Sequence, residues 1–329
     1  MKRVYSSIII AGILICIAGA LLLFVPGPER PVVTFVYIGE KGDFGYLDSA
    51  YLGLIRARDD IDFISREILW DGSFKQDPVI GEGGKRADLV LILGDLMSGY
   101  AESVAEKYPE TPIVVIDAGS VRGDTIRSVS FSMYGASYLA GVLAANQTKS
   151  NKIGVIAAKD APVISSFTDG FMDGVYSMNP DAEVSIIYLA DDDSGFTMPD
   201  EAGDLARSMY SEGTDLIFTV AGGSGPGAIT AAKDLPGLFI IGVDSDQSEL
   251  APRTVIASVV KRVDRVVYLE IDAAFSGRLG RSADVIGLSD GGSALIINPR
   301  YQDLSNLIED RYSEAAEREA EYLLGKEDV

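Results

Sequence analysis

Asp117 and Asp244 each close a run of apolar and β-branched residues, "IVVID" and "FIIGVD". Each lies 29 residues beyond another aspartate that opens a similar run, Asp88 in "DLVLILGD" and Asp215 in "DLIFTVAGG" (117 − 88 and 244 − 215). A carboxylate at the end of a strand can accept hydrogen bonds from an amino group or from both hydroxyls of a diol. In parallel α/β sheets, ligands sit off the carboxyl ends of the strands. The two aspartates are therefore expected to project from two similar lobes into one shared cleft. Aspartate after a strand also caps turns and helices. The match of strand, turn, helix and second strand across the repeat is what argues for binding, more strongly at Asp244 than at Asp117.

The elements that must position them follow from hydrophobic pattern. Short β-branched runs at 32–38, 89–93, 113–116, 152–157, 184–189, 216–220 and 238–243 alternate with helical patterns at 49–57, 98–107, 136–145, 166–177, 202–211 and 227–233. Continuous apolar strands separated by helices predict parallel sheets covered on both faces. The fold class expected is α/β, with two similar three-layer α/β/α lobes. Later in the chain, 263–275 predicts a helix, 285–288 and 294–297 short strands, and 304–323 a closing amphipathic helix. That tail is expected to complete the second lobe with its charged face solvated.

Composition narrows the chemistry. The 329 residues include no histidine, which excludes Ser-His-Asp triads, Cys-His pairs and zinc sites built on imidazole. No catalytic residue, cofactor or metal is expected. A formal charge of −21 repels phosphate backbones, so nucleic acid is not an expected partner. Residues 8–25 carry no polar side chain apart from Cys16 and would span about 27 Å as a helix, close to the hydrocarbon core of a bilayer. Lys2 and Arg3 before them predict a cytoplasmic N-terminus and an extracytoplasmic remainder. An uncleaved transmembrane anchor is the favoured reading. The alternative is a cleaved signal peptide ending near Ala18-Gly19-Ala20, past which the apolar run continues. Cys16, the sole cysteine, follows Ile15 rather than a small residue and reads as a buried thiol, not a lipid attachment site. Pro26, Gly27, Pro28 and Pro31 read as a short stiff spacer.

From about Val33 to beyond Asp264 the chain resembles the basic membrane protein, or purine nucleoside receptor, family of ABC transporter substrate-binding proteins. The resemblance is carried by "SAYLGL" (49–54), "YLAGVLAA" (138–145), "GFMDGV" (170–175), "AGGSGPGAITAAK" (221–233), "IGVDSDQ" (241–247) and "SVVKRVD" (258–264), in that order. It implies the periplasmic binding protein type I fold, with residues 32–128 and 256–282 in lobe 1, residues 129–255 and 283–329 in lobe 2, and crossover strands near 128–131 and 256–259. It implies a nucleoside, a purine nucleoside foremost, as ligand and an ABC transporter permease as partner. By the same resemblance, a base would stack between Tyr46 and Phe196, Asp117 would accept from the base edge, and Asp244 with Lys261 would hold the ribose. Phe44 is an alternative to Tyr46. Gly222, Gly223 and Gly225 would let the backbone approach the ligand.

The chain departs from the family at Leu47, where an asparagine usually reads the base edge, and in lacking the lipid-bearing cysteine, whose tethering role passes to the anchor. Two other readings stand beside this one. "GGSGPG" between a strand and a helix, with Asp244 about twenty positions on, also fits a dinucleotide-binding turn, though it comes late in its lobe. A tethered domain that senses a small polar solute and reports to another membrane protein fits the same elements.

Overall fold

The computed structural model describes residues 29–327 other than 40, 43, 44, 74, 120 and 122. The expected anchor, Cys16, most of the spacer and Phe44 lie outside the described residues. Among those described, no helix is long and apolar enough to cross a membrane.

Two six-stranded sheets form two lobes. The first contains β1 (Val32–Tyr37), β2 (Ile64–Leu69), β3 (Leu89–Leu93), β4 (Ile113–Ile116), β5 (Ile126–Phe131) and β11 (Ala283–Ile286), in the order β11-β5-β4-β3-β1-β2 and parallel throughout. The second contains β6 (Lys152–Ala157), β7 (Glu183–Tyr188), β8 (Leu216–Val220), β9 (Phe239–Asp244), β10 (Val255–Lys261) and β12 (Ser293–Ile297), in the order β12-β10-β9-β8-β6-β7. Only the β10/β12 pairing is antiparallel among them.

Strand residues alternate between two cores because successive side chains point to opposite faces. In β1, Val33 and Phe35 pack with Leu47, Ala50 and Leu54 of α1 (Tyr46–Asp60) and with Val263 and Val267 of α7 (Val263–Phe275). Val32 and Val36 turn the other way, onto Tyr100, Ala101 and Val104 of α2 (Ser98–Lys107). The second lobe repeats the scheme. Val155 and Phe218 face α3 (Tyr134–Gln147) and α4 (Pro162–Met178). Ile156 and Ile217 face α5 (Pro199–Ser211) and α6 (Gly225–Ala232). A Cβ on Gly141 would stand 2.1 Å from the Phe171 carbonyl oxygen, and one on Gly174 2.0 Å from that of Tyr138. These glycines, in "YLAGVLAA" and "GFMDGV", thus let α3 and α4 touch backbone to backbone, a packing role rather than a binding one.

The chain passes between the lobes at three places: after β5, after β10, and between β11 and β12. Three expectations change here. β10 lies wholly in the second sheet although residues 256–261 were expected with lobe 1, and β5 lies wholly in the first although 129–131 were expected with lobe 2. β11 was expected in lobe 2 but pairs with β5 of the first sheet. The crossings are therefore the residues just beyond those strands. A short parallel partner such as β11 carries no mark of which sheet edge it will join, which is why the third crossing escaped the pattern. β2 was not anticipated either: its sequence "ISREIL" lies on a sheet edge, with Ile68 as its one buried residue, and so lacks the apolar run of a covered strand.

One acid-sensitive anchor lies in the first lobe. Asp77 accepts from the backbone N–H of Val79 and Ile80 (2.9 Å each), from Lys107 Nζ (2.9 Å) and from the Tyr108 hydroxyl. Burial alone would raise its pKa, but these donors outweigh burial and hold it at about 2, against 3.8 unperturbed. The native state thus binds this proton less readily than the unfolded chain, so the contribution is present above 3.8 and is lost as pH falls towards about 2. Asp77→Asn is expected to destabilise the protein at about pH 5, with the difference gone by about pH 2, as read from denaturant unfolding at both values.

Candidate functional site

β4 and β9 occupy equivalent places in their sheets, and the residue at the end of each is in the left-handed region: φ is 62° at Asp117 and 68° at Asp244. Aspartate tolerates this conformation better than most residues, though it still costs about 1 to 2 kcal/mol for a side chain with a Cβ. The Asp117 N–H donates to the Val129 carbonyl at 2.7 Å, and the Ser245 N–H donates to the Val243 carbonyl at 2.8 Å, closing a tight turn around Asp244. Matched backbone strain in both copies of the repeat is the signature of positions held for a purpose other than stability.

Lys261, the last residue of β10, brings the lobes together. Its register neighbour Val260 pairs with Asp244, and its Nζ reaches the first lobe to donate to Asp117 Oδ2 at 2.9 Å. Only 5% of Lys261 is exposed, and the ammonium lies 5.5 Å from the ring centres of both Tyr46 and Phe131. Burial pushes its pKa down, yet the charges of Asp117 and Asp244 prevail, and it stays above the ordinary 10.5. Tyr46, at the first position of α1, presents a buried hydroxyl to the same carboxylates. Burial, then Asp117 and Asp244, push the phenol well above its usual range. The hydroxyl approaches Asp117 but completes no hydrogen bond of normal geometry with any described residue. An orphaned buried hydroxyl is costly unless something else satisfies it.

Four of the expected residues, Tyr46, Asp117, Asp244 and Lys261, thus form one cluster from both lobes. Phe196, Gly222 and Gly223 form a second group on the second lobe. Phe196 sits in a 3-10 turn (Asp193–Thr197) capped by Asp192, whose side chain accepts from the Ser194 N–H at 2.9 Å. A Cβ on Gly222 (φ 49°) would stand 3.1 Å from the Phe196 ring, and one on Gly223 2.9 Å from its carbonyl oxygen. The glycines seat the Phe196 loop, so the backbone that approaches them closely belongs to the protein itself. Ser224 fastens the arrangement, donating to the Gly195 carbonyl and accepting from the Met198 N–H, both at 2.7 Å.

Sequence reasoning missed Ser224 and Phe131. The first lay in plain view within "GGSGPG", but its partners are about 26 to 29 positions away and only folding reveals them. Leu47, the departure from the family pattern, is 3% exposed and packs in the first lobe's core. A cavity of about 470 Å³ beside Arg56, Arg262, Arg265 and Tyr268 contains none of these groups. Two of its arginines are tied to Asp264, Arg56 at 2.7 Å and Arg262 at 3.0 Å, which marks it as a paired surface recess rather than the site.

Two α/β lobes joined by three crossings and bridged by the Asp117–Lys261 ion pair have the architecture of a two-lobed solute-binding protein. Residues 31–325 match the family model described as ABC transporter substrate-binding protein PnrA-like (Bmp), and the chain belongs to that family. It is similar to basic membrane protein A1 of Borrelia garinii subsp. bavariensis, 29% identical over 83% of this chain and 81% of that protein. A CD4+ T-cell-stimulating antigen of Listeria monocytogenes is 32% identical over 62% of each chain, so the match spans less than two thirds of that relative. Among solved structures, an ABC transporter solute-binding protein from Aeropyrum pernix K1 superposes with a TM-score of 0.69 at 26% identity, over 89% of this chain and 86% of that one. The family model and the Aeropyrum structure are both of binding proteins of ABC transporters, and membership of that family takes the place of the dinucleotide-enzyme reading of "GGSGPG".

Proposed function

We propose that the chain binds a nucleoside, a purine nucleoside foremost, in the cleft between its lobes and presents it to an ABC transporter permease while residues 8–25 tether it on the extracytoplasmic face of the membrane. The observation that carries the reading is the buried meeting of Asp117, Asp244 and Lys261 at the ends of equivalent strands. A ligand entering there meets two acceptors and one donor, the complement of a base-edge N–H and a ribose diol. Asp117 accepts from the base, Asp244 accepts from the diol, and Lys261 donates to it. Tyr46 and Phe196 supply ring faces for the base, and Gly222 and Gly223 hold Phe196 in place. Ligand bridging the lobes stabilises the closed form, and the permease recognises that form.

A thermal-shift screen of nucleosides, free bases, sugars and amino acids tests this. A nucleoside at about 100 times its dissociation constant is expected to stabilise the fold by about 2.7 kcal/mol, with free bases and ribose giving less. A sugar or amino acid that stabilises while no nucleoside does would refute the assignment. Within it, Phe196→Ala is expected to weaken nucleoside binding by about 5- to 150-fold, corresponding to about 1 to 3 kcal/mol of stacking, with little change in ribose binding by calorimetry.

A further inference from the structure

The closing helix α8 (Ser305–Glu327) carries one acidic side chain that is not solvated. Glu319 is 4% exposed, against the sequence expectation of a merely solvated charged face. Its Oε1 accepts from the Ser132 hydroxyl at 2.6 Å and from the Gly135 N–H at 3.0 Å, and its Oε2 accepts from the Leu288 N–H at 2.7 Å. No ion pair to Glu319 occurs among the described residues, so neutral donors hold the buried carboxylate. Those donors belong to two different crossings. Ser132 and Gly135 flank the passage from β5 to α3, and Leu288 lies in the passage from β11 to β12.

The surroundings are cut to fit this group. A Cβ on Gly287 would stand 2.3 Å from Oε2, and one on Gly135 3.1 Å from the carboxyl carbon. The two crossings also bond to each other, the Ser132 N–H donating to the Ile286 carbonyl at 2.8 Å. The third joins through the Arg262 N–H, which donates to the Gly292 carbonyl at 2.9 Å. Helix α8 itself is fixed to the second lobe: Tyr138 donates to Glu314 at 2.7 Å, and the rings of Tyr134 and Tyr322 stack with centres 4.5 Å apart. Tyr312 adds a bond to the Leu288 carbonyl at 3.0 Å.

We propose that Glu319 is a positioning residue for ligand binding: it clamps two of the three crossings to α8, and so fixes the axis about which the lobes open and close. Its carboxylate touches no group of the cleft cluster. Rotation of the lobes changes backbone angles within the crossings, and the clamp sets which residues are free to change. Without it, the turn at 287–292 and the segment at 132–135 are joined only through the Ser132–Ile286 bond and are held to α8 less tightly, and the lobes sample a wider range of separations.

The test uses the full chain, ligand-free, with Cys16→Ser and reporter labels on Arg58→Cys in the first lobe and Lys233→Cys in the second. Glu319→Gln and Glu319→Ala are expected to broaden the inter-lobe distance distribution. Hydrogen exchange at the Gly135 and Leu288 amides should quicken by about tenfold or more, with amides of α6 unaffected. Should Glu319→Ala fail to fold, Ser132→Ala, which removes one donor and keeps the carboxylate, is expected to shift both readouts in the same direction by less. Unchanged distances and unchanged exchange at the two amides would overturn the proposal, as would faster exchange spread evenly over the chain, since that reports only general stability. No ligand is present in these measurements, so they stand or fall independently of the nucleoside assignment.

Discussion

Asp244→Ala is expected to lower nucleoside affinity by tens- to thousands-fold, corresponding to about 2 to 5 kcal/mol, while the folded domain persists. The size follows from what the truncation leaves behind. A charge-assisted acceptor facing a diol forms bonds roughly twice as strong as neutral ones, and its loss strands buried hydroxyls on the ligand. Alanine at φ 68° lacks the short polar side chain by which aspartate eases the left-handed conformation, so the variant is also expected to melt somewhat earlier. Asp244→Asn separates the two effects, because asparagine tolerates the left-handed conformation and removes only the charge. Titration calorimetry on both variants, beside their melting temperatures, reads the difference. Affinity equal to the parent's in Asp244→Ala would end the ribose assignment.

The second large effect is on stability. Lys261→Met removes the only cation bonded to Asp117 among the described residues and leaves that half-buried carboxylate without a countercharge. Breaking a buried pair by deleting one partner costs about 3 to 5 kcal/mol, because the other charge remains uncompensated. The variant is therefore expected to need markedly less denaturant to unfold near neutral pH. Its pH dependence carries the same logic. Lys261 has a folded pKa above its unfolded 10.5, so its stabilisation is complete below 10.5 and is lost as pH rises through the folded value. Tyr46, whose phenol is kept protonated in the folded state, adds a loss in the same direction at high pH. The parent is thus expected to lose stability steeply above about pH 10.5, and Lys261→Met more shallowly, with the residual slope shared by Tyr46 and the other groups whose pKa the fold raises, Tyr100, Tyr134, Tyr322 and Lys107 among them. Parallel curves would mean that Lys261 is not the group sensed.

Much of the scaffold was readable because parallel strands buried on both faces leave an unmistakable apolar signature. β3, β4, β6 and β8 fall where the β-branched runs place them, residue for residue. β2 was invisible because an edge strand needs no such run. The aspartates were legible through the repeat, since equal spacing survives in sequence whatever the loops do. Tyr46, Phe196 and Lys261 were not legible from pattern at all: a lone lysine reads as solvated surface until folding buries it against Asp117, and only the family resemblance singled it out. Glu319 was misread for the same reason. A glutamate in an acidic helix looks like its neighbours, and what sets it apart is contact with residues 31 to 187 positions away.

The weaving of the chain also bears on how it is made. A ribosome releases β1 to β5 first, yet the strand that covers the outer edge of β5 begins only at residue 283, after nearly all of the other sheet has appeared. β10 likewise waits for β12 to shield its edge. Both halves of a nascent polypeptide therefore keep an unsealed margin until residues 283–297 have been made, and a truncation before residue 283 cripples the two together. Such a molecule matures as one unit rather than half by half.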